Sequence, residues 1–108
     1  MTNCIIVQTS IDSKEAAQTI ADTVVQQRLA ACCWVSGPIH STYWWQGAIE
    51  QADEWVCQIK TREELYSELE TAIRAVHSYD EPEIIATPIT EGSQGYLAWI
   101  AAETTKQQ

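Results

Sequence analysis

Basic residues are scarce in this chain of 108 residues. Six Lys and Arg stand against fifteen Asp and Glu, which gives a formal net charge of −9. Proteins that bind nucleic acid depend on Lys and Arg to meet the phosphates, so this balance argues against a nucleic-acid partner. An acidic chain is compatible with cation partners, but the simpler explanation of the charge is a solvated surface that keeps the protein soluble.

Long apolar runs are also missing. No run approaches the roughly 18 residues that a membrane span needs, and the first ten residues, MTNCIIVQTS, place no basic segment before their short apolar run. A signal peptide begins with such a basic segment. We therefore expect a cytoplasmic protein without membrane contact. Its length and its hydrophobic content of 45% predict a single domain over residues 1–108 with one core.

The sequence offers few groups for catalysis. It has two histidines and four glycines, and no Ser or Cys lies in a recognisable nucleophile motif. The glycines are scattered, so no Gly-rich loop for phosphates is present. We expect no enzymatic activity and no firmly bound cofactor, with a divalent cation such as copper as the candidate ligand.

The four cysteines form no C-x-x-C motif and no Cys/His spacing of a structural zinc site. In a cytosolic protein they are expected to be reduced thiols that behave as small hydrophobic groups. Cys32 and Cys33 are adjacent, and neighbours on a strand point to opposite faces, so their surroundings should differ. Together with Cys4 and Cys57 they would hold a soft ion such as Cu(I) only if two or more converge.

What the sequence does contain is a long stretch of strand-forming residues at positions 29–61. Aromatic and β-branched residues favour a pleated, half-buried surface, and Gln46-Gly47 fits the turn of a two-residue hairpin. The arms are about twice the usual strand length. We infer that another copy of the protein covers the distal half. Four of the five tryptophans lie here: Trp34, Trp44, Trp45 and Trp55.

The remaining segments predict a complete fold. A strand at residues 3–9 precedes a helix that Asp12 or Ser13 caps, and Gly37-Pro38 should bend the first hairpin arm at a sheet edge or bulge. A capping box, Thr61 with Glu64, predicts the start of a second helix. A strand over residues 83–90, with Pro88 at an edge or bulge, and a helix over residues 94–103 follow.

This order of elements is typical of the ferredoxin-like split β-α-β fold, within the α/β (α+β) class. It predicts an antiparallel sheet with two helices on one face, a long hairpin between the second and third strands, and an extra C-terminal helix.

Two groups of residues are candidates for function. His77 ends the second helix near Asp80, Glu81 and Glu83, so it could supply a metal ligand. The alternative is a helix cap, since a protonated His there favours the helix dipole.

The second arm of the hairpin begins with acidic residues, which are interpreted as exposed and solvated: Glu50, Asp53 and Glu54. Three consecutive aromatic residues are expected at an interface: Tyr43, Trp44 and Trp45.

Five blocks of sequence, in this order and at these spacings, resemble the CutA divalent-cation tolerance family. They are LAAC at residues 29–32, YWWQG at 43–47, IEQ at 49–51, KT at 60–61 and HSYDEPEI at 77–84. The resemblance implies a ferredoxin-like homotrimer in which long hairpins extend the sheets of neighbouring subunits. It also implies an association with copper and other divalent ions. The family is similar in architecture to PII signalling trimers, which have clefts between subunits.

The resemblance is partial at the copper site proposed for the family, which uses a Cys late in the first strand and a His pair after the second helix. Here Gln8 takes the place of that Cys and Val76 that of the first His, with Ser78 beyond the matched His77. An amide is a poor copper ligand, so the expected metal binding is weak. In a cleft between subunits, the matched residues would suit a small anionic or zwitterionic ligand as well as a metal, as in a PII-like sensor that signals through a protein partner. The alternative is a structural Lys60–Glu83 ion pair. The matched residues are Trp44, Lys60, His77, Tyr79 and Glu83.

Overall fold

The first strand alternates between core and surface, as its sequence predicts. The computed structural model describes residues 2–105. Strand β1 covers Cys4–Ile11, two residues more than predicted at its end. Val7, Thr9 and Ile11 are fully buried on one face, whereas the alternate residues from Ile6 onward are only half-buried. One face of β1 therefore belongs to the core.

Helix α1 covers Lys14–Gln26, and Ser13 caps it, accepting a hydrogen bond of 3.1 Å from the backbone N–H of Ala16. The prediction of a cap at this point is confirmed, but the helix ends three residues before the predicted end at Leu29. Arg28 adopts a left-handed conformation with φ of 61°, which stops a right-handed helix. The helix faces the sheet with small and branched residues: Ala17, Ile20, Ala21 and Val24.

The hairpin consists of β2, Cys32–Trp45, and β3, Ala48–Arg62. Gln46 and Gly47 have φ values of 51° and 82°, and positive φ at both central residues is the mark of the turn that matches strand twist. The register shifts between Ser36 and Ile39, so the predicted interruption at Gly37-Pro38 is confirmed as a bulge.

The second helix begins differently from the prediction. A 3-10 turn, Glu63–Leu65, follows β3, and helix α2 covers Tyr66–Val76. The prediction of a capping box is wrong, because the Thr61 hydroxyl donates a hydrogen bond to the carbonyl oxygen of Leu29 at 2.7 Å instead of accepting one from a helix N–H. This hydroxyl is fully buried, and a buried donor needs a partner wherever the fold supplies one.

The last strand, β4, covers only Ile85–Pro88, and helix α3 covers Gln94–Glu103, as predicted. The sheet order is β2-β3-β1-β4, and every neighbouring pair is antiparallel. Pro38 and Pro88 thus lie on the two edge strands, where a missing backbone N–H costs no sheet bond. The fold is the predicted ferredoxin-like split β-α-β arrangement.

The core lies between the sheet and helices α1 and α2. Helix α3 packs on β1 and β3, and Arg62 ties its end down by donating to the Thr104 hydroxyl at 2.8 Å and carbonyl oxygen at 2.9 Å. Within residues 2–105, no helix is both long and apolar enough to cross a bilayer. The fully buried aliphatic residues are Val7, Ile11, Ala17, Ile20, Val24, Ile59, Leu69, Ile73 and Ile100.

Candidate functional site

An open cleft of about 620 Å³ separates the hairpin from the loop that follows α2. Aromatic rings and carboxylates form much of its wall, and none of the described residues along it is basic. Such a wall attracts cations and repels anions. We call it the acidic cleft. Its lining consists of Ser10, Ser41, Thr42, Tyr43, Trp44, Trp45, Glu54, Tyr79, Asp80, Glu81 and Glu83.

Glu54 is the buried carboxylate of the acidic cleft, with 7% of its surface exposed. One carboxylate oxygen accepts a hydrogen bond of 2.6 Å from the Ser41 hydroxyl, and the other accepts one of 2.8 Å from the Tyr79 hydroxyl. Burial, and then the bond to Glu54, raise the pKa of Tyr79. The interpretation of Glu54 as a solvated strand residue is therefore wrong, because loop and strand donors enclose it.

The other three carboxylates of the acidic cleft are exposed, and two of them are engaged. Glu83 accepts a hydrogen bond of 2.9 Å from the side-chain amide of Gln8, and Glu81 lies 3.6 Å from the Arg74 guanidinium. Within residues 2–105, no three His, Cys, Asp or Glu side chains converge as metal ligands would. Tight binding of a hard divalent ion requires a larger set of converging oxygen ligands than this cleft brings together.

His77 directly follows α2, and both of its ring nitrogens bond within the chain. Nδ1 accepts a hydrogen bond of 3.1 Å from the backbone N–H of Tyr79, so the ring proton belongs on Nε2, which lies 2.9 Å from the carbonyl oxygen of Ser10. The ring also meets that of Tyr79 edge-on at 4.8 Å between centroids. In this arrangement neither nitrogen has a free lone pair for a metal, and the imidazole fixes the loop to β1.

Lys60 lies away from the acidic cleft. Its Nζ is 3.5 Å from the ring centroid of Trp34 and 5.9 Å from that of Tyr96, which are cation–π distances. Within residues 2–105 of one chain, Lys60 and Glu83 do not form the predicted ion pair. Lys60 makes these cation–π contacts, and Glu83 accepts a hydrogen bond from Gln8. Of the predicted ligand-cleft residues, Trp44, Tyr79 and Glu83 therefore share one cavity, and Lys60 does not.

The three aromatic residues predicted at an interface lie at the far end of the hairpin. Trp44 exposes 72% of its surface, and Tyr43 and Trp45 are also exposed. Rings of this size are the usual anchors of protein interfaces. In the single chain they form one wall of the acidic cleft and remain open to solvent.

Two features of the site were not recognised in the sequence. They are the role of Ser41 as a hydrogen-bond donor and the burial of Glu54. Their partners lie far along the chain: Ser41 is 13 residues from Glu54, and Tyr79 is 25 residues from it. No local pattern reports such contacts. The register of β2 against β3, with Ser41 opposite Ala52 and Ile39 opposite Glu54, is what brings the first pair together.

Comparison with known families gives a match over nearly the whole chain. The family model of the CutA1 divalent ion tolerance protein matches residues 5–103. The chain is 37% identical over 99 residues to the divalent-cation tolerance protein CutA of Thermus thermophilus, covering 92% of this chain and 96% of that protein. It is 39% identical over 100 residues to the chloroplastic protein CutA 1 of Oryza sativa, covering 93% of this chain. The chain spans just over half the length of two chloroplastic relatives, 56% of the Oryza sativa protein and 55% of the protein CutA of Arabidopsis thaliana.

Solved structures agree with this match. The CutA structure from Xylella fastidiosa superposes with a TM-score of 0.93 at 34% identity, covering 96% of this chain and all of that one. A structure described as the periplasmic divalent cation tolerance protein CutA from Archaeoglobus fulgidus gives 0.91 at 36% identity, with coverages of 94% and 99%. Similarity at this level extends to fold and family alike.

Proposed function

The chain belongs to the CutA1 divalent ion tolerance family, and from that premise we propose that it is a homotrimer that associates weakly with divalent cations and catalyses no reaction. Relatives carry names that refer to tolerance of divalent cations rather than to a reaction. Some relatives are described as chloroplastic and one as periplasmic. Family membership therefore leaves the cytoplasmic location as a prediction.

The observation that carries the proposed assembly is the exposed end of the hairpin, residues 39–51, which we call the hairpin tip. Large apolar side chains are exposed along it, among them Trp44 at 72% and Ile49 at 60%. A two-stranded ribbon is at best marginally stable in water unless something packs on it. Contiguous apolar surface of this kind marks an interaction site.

Helix α3 supports the same proposal from another part of the molecule. Apolar residues surround it on all sides, yet Tyr96 and Trp99, which stack with 5.5 Å between ring centroids, are exposed in the single chain. A helix that is apolar all round is normally buried. The choice of three subunits comes from the sequence resemblance to CutA, and these two surfaces supply the physical reason for association.

The proposed cation association is electrostatic. Three copies carry three times −9, or −27, and such a field concentrates cations near the surface. The acidic cleft adds exposed carboxylates at Asp80, Glu81 and Glu83. Weak binding is expected because two of these already have partners and the His77 nitrogens are engaged.

Light scattering and sedimentation of the purified chain test the assembly. We expect a particle of three chains at low micromolar concentration, and smaller particles for Trp44→Ser. Val25→Ser is the matched control, because Val25 is an exposed apolar residue on α1, outside the hairpin and α3. A wild-type monomer, or an equal loss of assembly in both variants, would contradict the proposed trimer.

Calorimetry with Cu(II) tests the cation association separately. We expect weak heats that shrink as salt is raised, because exposed charges are screened within about 10 Å at 0.1 M salt. His77→Ala should leave them unchanged. Stoichiometric, salt-insensitive binding that His77→Ala abolishes would show that the imidazole is a ligand after all and would overturn the electrostatic explanation.

A further inference from the structure

Two of the four cysteines lie together on the face of the sheet that the helices cover. Cys57 on β3 is opposite Val35 on β2, and Cys33 is opposite Ile59, so the cysteines are diagonal neighbours on one face. Cys57 is fully buried, and Cys33 packs against the same core. The interaction between the two thiols, together with burial, raises the pKa of Cys33, and the same interaction lowers the pKa of Cys57.

Thr9 on β1 extends this row across a third strand, since it lies directly opposite Cys57. Thr9 is fully buried, and no hydrogen-bond partner for its hydroxyl exists within residues 2–105. Buried hydroxyls in native proteins are almost always bonded, so an unpaired one next to a thiol needs a physical explanation. Hydrophobic packing would be served better by valine, which has nearly the same shape.

A disulfide does not explain the pair. It requires Cβ atoms about 3.5 to 4.5 Å apart, whereas diagonal neighbours across antiparallel strands are separated by about 7 Å. Cys33 and Cys57 are free thiols. A metal ion between two thiolates, with bonds of about 2.3 Å as in zinc sites, suits the larger separation.

We propose that Cys33 and Cys57 form a two-thiolate site for one Cu(I) ion, in which the Thr9 hydroxyl donates a hydrogen bond to the Cys57 thiolate. Thiolates select soft ions such as Cu(I) and zinc. Structural zinc sites use four ligands, and among residues 2–105 no third His, Cys, Asp or Glu joins the pair. Two thiolate ligands are sufficient for Cu(I).

Binding requires no redox step. Each thiol releases one proton, two Cu–S bonds form, the copper stays in the +1 state, and the site carries one negative charge. The hydrogen bond from Thr9 offsets that charge, as groups around metal ligands commonly do. The Cys57 thiol donates to the carbonyl oxygen of Ala17 at 3.4 Å, and this oxygen, in the middle of α1, keeps its helical partner when the proton leaves.

The ion can reach the pair from the side of Cys33, which is half-buried. All these residues belong to one chain. The inference therefore does not rest on the proposed trimer, and its failure would leave the tests of assembly and of Cu(II) association unaffected.

The test is a titration of the reduced, full-length protein with Cu(I) supplied as its bicinchoninate complex under anaerobic conditions. We expect each wild-type chain to remove one Cu(I) from the chelator, with a matching loss of the chelate colour. Cys33→Ser and Cys57→Ser should remove none. X-ray absorption at the copper edge should give two sulfur ligands, and a nitrogen or oxygen shell, or a wild-type chain that takes no copper, would overturn the proposal.

Cys32→Ser is the matched control. Cys32 is next to Cys33 and equally half-buried, but its sulfur lies 3.8 Å from the Tyr96 hydroxyl, on the other face of the sheet. We expect Cys32→Ser to keep one Cu(I) per chain, and a loss equal to that of Cys33→Ser would refute the assignment. Circular dichroism reports whether the variants fold; should the buried Cys57→Ser unfold, the half-buried Cys33→Ser decides.

Thr9→Val separates a metal site from simple packing. Valine removes the unpaired hydroxyl at almost constant volume, so the copper-free protein should melt at a higher temperature. The same change should weaken Cu(I) binding about tenfold, since the thiolate loses its hydrogen bond. A higher melting temperature with unchanged copper affinity would remove Thr9 from the site.

Discussion

The two ends of the β2–β3 hairpin share one hydrogen-bonded ladder but differ in everything that packs on it. At the base, Cys57, Ile59 and Thr61 are fully buried beneath the helices. At the hairpin tip, no element among residues 2–105 covers Trp44 and Ile49. Because the pairing runs through both ends, the contrast shows that backbone pairing does not bury a strand; a second layer does.

The largest effect should come from the base. Ile59→Ala removes a fully buried side chain and should lower the free energy of unfolding by about 2 to 5 kcal/mol, through lost burial and the cavity that remains. Urea unfolding at several protein concentrations measures this. We expect a lower midpoint at every concentration.

Ile49→Ala is the counterpart at the hairpin tip. Its side chain is 60% exposed in the single chain, so any loss should arise through association and should grow as the protein is diluted. If both variants lost the same amount independently of concentration, the two ends would be equivalent and the contrast would fail.

The next largest effect is expected where the two ends join. Gly37 lies in the bulge with φ of +154°, and a Cβ there would come within 2.7 Å of Trp55 Cδ1 and 2.9 Å of the Glu54 carbonyl oxygen. Neither neighbour is the free end of a flexible chain. Gly37→Ala should therefore cost about 1 to 3 kcal/mol of unfolding free energy, as overpacking does.

Gly47→Ala serves as the control, because Gly47 also has a positive φ but an added Cβ would clash with nothing. Its φ is +82°, and a Cβ would meet nothing within 4 Å. Its cost should be only the left-handed penalty, about 1 kcal/mol. A Gly37→Ala variant no less stable than Gly47→Ala would mean that the indole of Trp55 moves aside freely.

The sequence was informative where the determining chemistry is local. The turn at Gln46-Gly47, the cap at Ser13 and the bounds of α3 depend on residues within a few positions of one another. It failed at Thr61, whose hydroxyl bonds to an oxygen 32 residues away, and at Glu54, which a distant loop encloses. Their roles depend on tertiary contacts that no propensity encodes.

The cysteines illustrate the same limit. Strand alternation was enough to predict different surroundings for Cys32 and Cys33. In the structure, Cys32 lies near the Tyr96 hydroxyl and Cys33 packs against the core. The approach of Cys33 to Cys57 required the register of two strands, which follows from the position of the bulge as well as from the turn. Register is specified jointly by turn geometry and by which face is buried.

The buried carboxylate beside the hairpin tip should show an effect similar in size to that of Gly37→Ala. Tyr79→Phe removes one of the two side-chain hydrogen bonds to Glu54, and a bond to a charged group is worth about 1.5 to 3 kcal/mol. Tyr43→Phe is the matched control, because Tyr43 lines the same cleft but is exposed, and it should change stability by less than about 0.5 kcal/mol. Equal losses in thermal unfolding would show that Glu54 gains nothing from Tyr79.

The smallest effect should be a pH dependence confined to the hairpin tip. Asp53 accepts from His40 Nδ1 at 2.9 Å, and Gln51 lies 3.1 Å from Nε2; these bonds raise the pKa of His40. A raised pKa favours the protonated form in the folded state. Its stabilisation is therefore complete below the unfolded value, about 6.5, and is lost as pH rises through the folded value. NMR titration should give His40 a lower pKa in Asp53→Asn than in the wild type, and an unchanged pKa would mean that solvent screens the pair entirely.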